Sequence, residues 1–85
     1  MVSTPPHLRS VIDRDGAVIL DIPANEMTTL NSTGAFIWEQ LQKGQTPAFI
    51  AAELARDTDT PEAVIARDVD AFIESLLSKH LLLHR

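Results

Sequence analysis

The chain of 85 residues contains no cysteine. Disulfide staples, a thiolate zinc site and a cysteine nucleophile are therefore excluded. Basic residues are scarce as well: seven Lys and Arg against twelve Asp and Glu, for a formal net charge of −5. Those seven are scattered, so no patch exists to neutralise phosphates, and nucleic acid is not the expected partner. With three glycines in the chain, there is no Gly-rich phosphate loop and no Gly-x-Ser-x-Gly elbow. No apolar run approaches the length of a membrane span, and residues 1–6 lack the features of a secretory signal. The composition predicts a cytoplasmic protein that does not engage membranes.

What is present is apolar residues, 45% of the chain, enough for one compact core. One domain over residues 1–85 is expected, with an ordered core from about 8 to 83. Residues 1–7, with Pro5-Pro6, read as a loose terminus. Residues 8–13 form a weak strand, and Asp15-Gly16 supplies a turn. Residues 17–22 are short and β-branched, the clearest strand signal in the chain. Asn25, after Pro23, is suited to a left-handed turn position. Residues 26–30 alternate as a third strand, with Glu26, Thr28 and Leu30 on one face and Met27 and Thr29 on the other.

Beyond Leu30 the period becomes helical. Asn31 is the expected N-cap of a first helix carrying Ala35, Ile37, Trp38 and Leu41, ended by Gly44. Thr46-Pro47 opens a second helix with Phe49, Ile50 and Leu54 on its apolar face. Thr60 is expected to cap a third helix, with Pro61 as its first residue, running to about Lys79. The tail Leu81–Leu83 suits a short strand or a packed end. Strands followed by helices imply an α+β domain: a three-stranded antiparallel sheet followed by three helices, in a winged helix-turn-helix layout.

Catalytic chemistry finds little support. His80 and His84 stand four apart, but no third metal ligand accompanies them. Asp57-x-Asp59 lacks the glycine and the terminal glutamate of a calcium loop. No cofactor, metal or catalytic residue is expected. Two features point to binding instead. The strand 26–30 suits an exposed sheet edge, which offers unpaired N–H and C=O groups to a partner strand. The third helix is apolar over more than one stripe, at Val64, Ile65, Val69, Phe72, Ile73, Leu76 and Leu77.

The stretch Asn25–Trp38 holds a Leu-Asn-x-x-Gly-Ala-x-x-Trp block, and Asp68–Leu76 holds Asp-Val-x-x-Phe-Ile-x-x-Leu. Together with Leu41, Gly44, Thr46, Ile50, Leu54 and Leu81-Leu82, they resemble the PqqD family over roughly residues 9–83. The resemblance implies a precursor-recognition domain without chemistry of its own. In that family the leader of a ribosomally made precursor peptide adds antiparallel to the third strand and lies against the third helix. Carried over by position, the strand contributors are Glu26, Met27, Thr28, Thr29 and Leu30. The helix contributors are Val64, Arg67, Asp68, Ala71, Phe72 and Ser75. Asn31 and Gly34 take structural roles, and Trp38 belongs to the core.

The pattern is more similar to the stand-alone recognition proteins of lasso-peptide clusters. That would imply a cysteine-protease-type leader peptidase and a cyclase as partners. The pyrroloquinoline quinone pathway is the alternative, with a radical-SAM partner. A winged-helix DNA-binding protein and a purely structural subunit are more remote readings. An exposed edge also allows a monomer to pair weakly with its own copy. One position departs from the family: His80 stands where glycine usually ends the third helix, which makes that terminus less sharply defined.

Overall fold

A computed structural model describes residues 2–84. Its central sheet has the order β2-β3-β4, where β2 is Leu8–Asp13, β3 is Gly16–Asp21 and β4 is Glu26–Asn31. Both pairings are antiparallel, with Val11 opposite Val18 and Val18 opposite Thr29. Three helices follow: α1 (Ser32–Gln42), α2 (Pro47–Thr58) and α3 (Glu62–Ser78). The expected α+β winged helix-turn-helix with a three-stranded sheet is therefore the fold observed.

Local chemistry accounts for the joints. The tip between β2 and β3 is Arg14-Asp15, and the Asp13 carboxylate accepts from the backbone N–H of Asp15 (2.8 Å) and Gly16 (3.0 Å). Gly16 takes a positive φ, and a Cβ there would collide with the Leu30 carbonyl oxygen. Asn25 adopts the left-handed conformation that closes the β3–β4 turn. Asn31 caps α1, its side-chain oxygen accepting from Gly34 N at 2.8 Å. Thr46 caps α2 in the same way, accepting from Phe49 N at 3.1 Å.

Two expectations about the ends are corrected. Residues 2–7 are not a loose terminus. Val2–Ser3 (β1) pairs antiparallel with Leu83–His84 (β5) in a separate ribbon, and Pro5 is buried. Two-residue strands carry no local periodic signal, so long-range pairing alone defines them. Thr60 does not cap α3. Pro61 occupies the N-cap position without a side-chain bond, and the Thr60 hydroxyl donates to Thr58 O instead. Helix α2 runs to Thr58 and is followed by Asp59 in the left-handed conformation.

The core lies between the inner sheet face and the helices. Ile19, Trp38, Leu41, Ile50, Val69, Leu76 and Leu82 form its centre. Trp38 is fully buried, and its indole N–H has no hydrogen-bond partner among the described residues. The tail packs back as well as pairing, since Leu81 and Leu82 are buried. His80 ends α3 at φ 61°. Its N–H donates to Leu77 O (3.0 Å) and that of Leu81 to Leu76 O (2.9 Å). These are the paired bonds of a Schellman motif, with the Leu76–Leu81 apolar contact buried beneath it. The terminus expected to be poorly defined is sharply closed, by a histidine in a conformation that favours glycine.

Candidate functional site

Strand β4 has one partner, β3, and its other edge is unpaired within the described residues. Helix α3 packs chiefly on α2, which leaves a cleft between α3 and the free edge of β4. The two elements run in opposite directions along this cleft. Glu26 and Thr28 lie opposite the C-terminal end of α3, and Asn31 and Gly34 lie opposite its first half.

The two ends of the cleft differ in chemistry. Beside the first half of α3 is an apolar hollow of about 230 Å³, walled by Gly34, Ile37, Leu54, Ile65, Val69 and Phe72, with Asn31, Thr33 and Asp68 also in its lining. Gly34 makes room for it: a Cβ there would come within 3.2 Å of Phe72 Cζ and 3.3 Å of Leu30 Cβ. At the other end is a more polar hollow of about 420 Å³, lined by Ile19, Asp21, Glu26, Thr28, Ser78, Lys79, His80 and Leu81. Asp21 is held in place there, accepting from Ala24 N at 3.2 Å and standing 3.4 Å from His7 Nε2. The exposed Arg56 on α2 lies in the lining of neither hollow; a hydrogen bond to Glu53 and the charge of that carboxylate hold its guanidinium above its ordinary pKa.

The structure brings together part of the residue set read from the sequence. Glu26 and Thr28 line the polar hollow, while Asp68 and Phe72 line the apolar one. Leu30 and Phe72 both border the space left by the missing Cβ of Gly34. Met27 and Thr29 point to the outer sheet face and are exposed. Val64, Arg67, Ala71 and Ser75 are exposed on α3 and line neither hollow. They lie about a quarter-turn round the helix from the row that faces the cleft, Ile65, Asp68, Val69 and Phe72. Ile65 and Val69 were not in that set, although the i, i+3, i+4 and i+7 spacing from 65 contained the signal. The polar hollow, with Ser78, Lys79 and His80, had none, because it depends on how the end of α3 meets β3.

Among the described residues no three His, Asp or Glu side chains stand together as a metal-binding group; the His84 side chain, one of the His80/His84 pair, lies outside the described residues. No helix among the described residues is long and apolar enough to cross a membrane.

An open strand edge beside a helix is an arrangement to which an extended peptide can add as a further strand. The chain belongs to the family described as Coenzyme PQQ synthesis protein D (PqqD), which it matches over residues 16–82. Two solved structures are similar along almost their whole length. TbiB1 in complex with the TbiA(beta) leader peptide is 23% identical, with a TM-score of 0.89 over 98% of this chain and 96% of that one. Lasso peptide synthetase B1 complexed with the leader peptide is 28% identical, with a TM-score of 0.89 over 98% of both chains. No curated protein is significantly similar in sequence.

Proposed function

We propose that this protein binds the leader segment of a ribosomally synthesised precursor peptide as a strand added to β4, and presents it to modifying enzymes. The observation that carries this reading is the unpaired β4 edge, with one hollow between that strand and the end of α3 and a second beside the first half of α3. Main-chain bonds to β4 provide affinity, and side chains on one face of the added strand enter the cleft. The contributors are Glu26 to Leu30 from the strand, with Asp68, Phe72 and their neighbours Val64, Arg67, Ala71 and Ser75 from the helix. Support comes also from the 28%-identical neighbour, a lasso peptide synthetase B1 that carries a leader peptide. Its pathway implies a cysteine-protease-type leader peptidase and a cyclase as partners, in the cytoplasm, with this chain itself doing no chemistry. The family description favours one rival: recognition of a quinone-cofactor precursor on behalf of a radical-SAM enzyme.

The test is calorimetric titration with the leader peptide encoded beside the gene. One-to-one binding that is lost in Thr28→Pro, whose proline distorts the edge strand, is the expected outcome. The identity of the leader that binds decides between the two pathways. Binding that survives Thr28→Pro unchanged, in a variant that remains folded, would contradict strand addition.

A further inference from the structure

The outer face of the sheet carries no helix, and exposed apolar side chains stand at two places on it: Val11 beside Val18 toward the β2 edge, and Met27 with Ile22 and Leu20 at the corner next to the open β4 edge. Met27 is 67% exposed and Ile22 is 69% exposed, although both are large and apolar. With Leu20, Asn25 and Glu26 they line a shallow hollow of about 190 Å³. The register places Met27 directly beside Leu20 on the neighbouring strand, and Met27 is the last outward residue before the open edge. Nothing within the described chain covers this corner.

A strand joined to β4 cannot avoid it. Side chains alternate between the two faces of a sheet, so residues opposite Glu26, Thr28 and Leu30 turn toward the cleft. The residue opposite Met27 must then stand on the outer face, beside the Met27 side chain. Directly opposed side chains in neighbouring strands are about 5 Å apart, close enough to pack. We propose that the bound peptide is read on both faces: by an apolar side chain in the cleft, and by a second apolar side chain outside, on Met27, Leu20 and Ile22. The inference rests on the strand-addition reading and adds a specificity determinant to it.

The register fixes the spacing. A side chain opposite Leu30 reaches the apolar end of the cleft, beside Phe72. The residue opposite Met27 is three positions away along the same added strand. Because the faces alternate, the two apolar residues must be an odd number apart, and three is the spacing set by Leu30 and Met27. The other outward residue of β4, Thr29, is itself polar and pairs with Val18, so a residue opposite it meets a hydroxyl before any apolar side chain.

The experiment is selection of random peptides of about ten residues, long enough to span the β4 edge, on the full chain. Selected peptides are then titrated against the native protein, Ile22→Ser and Met27→Ser. Both variants replace exposed side chains, and circular dichroism checks that each remains folded. The inference predicts two apolar positions three apart in the selected sequences, and binding about three- to tenfold weaker for each variant. Exchanging the outward apolar residue of the peptide for serine should cost the native protein a similar factor, and should cost Met27→Ser much less. Backbone N-methylation of alternate peptide residues separates the two levels of the argument. If methylation shows the usual alternation of loss and tolerance but the outer position is unselective and both variants bind within twofold of native, the outer-face inference is wrong. If no methylated position matters, strand addition itself is wrong.

Discussion

Replacing Gly34 with alanine should damage binding while sparing stability. Gly34 sits in the first turn of α1, where its N–H donates to the Asn31 cap. Alanine keeps that N–H and is the better helix former, by roughly 0.5–1 kcal/mol. Against this, the new Cβ would lie 3.2 and 3.3 Å from two atoms of the Phe72 ring and 3.3 Å from Leu30 Cβ. Carbon atoms prefer about 3.5–4.0 Å, so the ring must move by a few tenths of an ångström. Phe72 is half-buried at the mouth of the apolar hollow and has open space to move into, which keeps the cost below about 1 kcal/mol. The two terms nearly cancel in stability. They do not cancel in the hollow, because the methyl group and the displaced ring occupy the space a peptide side chain would fill. Thermal unfolding should give a Tm within about 4 °C of the native protein, since 1 kcal/mol corresponds to roughly 4–8 °C at this size. Titration with the leader peptide should give affinity about tenfold lower or worse, a loss of at least ~1.4 kcal/mol. Unchanged affinity together with a stability loss above ~2 kcal/mol would refute the reasoning, and would make Gly34 a packing residue alone.

Two further predictions concern the frame. His80→Gly should stabilise the fold by about 0.5–1 kcal/mol, because a left-handed residue other than glycine costs roughly 1–2 kcal/mol and the flexibility of glycine when unfolded returns part of it. Chemical denaturation reads this directly, and an unchanged or lower midpoint would mean that the His80 side chain makes a contact worth as much as the strain. Trp38→Phe should cost less than about 2 kcal/mol, because the lost volume is partly offset by removing a buried, unpaired N–H. Trp38→Ala should cost about 3–5 kcal/mol, and a Trp38→Phe loss well above about 2 kcal/mol would show that the indole N–H is bonded after all.

The parts of the fold that follow local chemistry were legible in the sequence. Asn31, Thr46 and Gly44 announce helix ends because each satisfies backbone groups within its own turn. Residues 17–22 announce a strand by their β-branched run, and Asn25 announces a left-handed turn. What stayed hidden depends on residues far apart in the chain. The β1–β5 ribbon joins the two ends of the described chain. The start of α3 is a local exception, falling at Glu62 with Pro61 at the N-cap position while the Thr60 hydroxyl bonds back to Thr58 O. The site divides in the same way. The β4 edge and Phe72 could be named from alternation and helical spacing together with family resemblance. Which quarter of α3 faces the cleft was legible only in part: the spacing of 65, 68, 69 and 72 held the row, but the helix is apolar over more than one stripe, and the entry of Val69, Ile73 and Leu76 into the core selects among them.

The most direct test of strand addition is amide hydrogen exchange with and without bound leader peptide. The prediction is that the edge-facing amides of β4, within residues 26–31, slow by more than about tenfold on binding, while the outer edge of β2 does not change. Binding with no new protection in β4, or with protection at β2 instead, would contradict it.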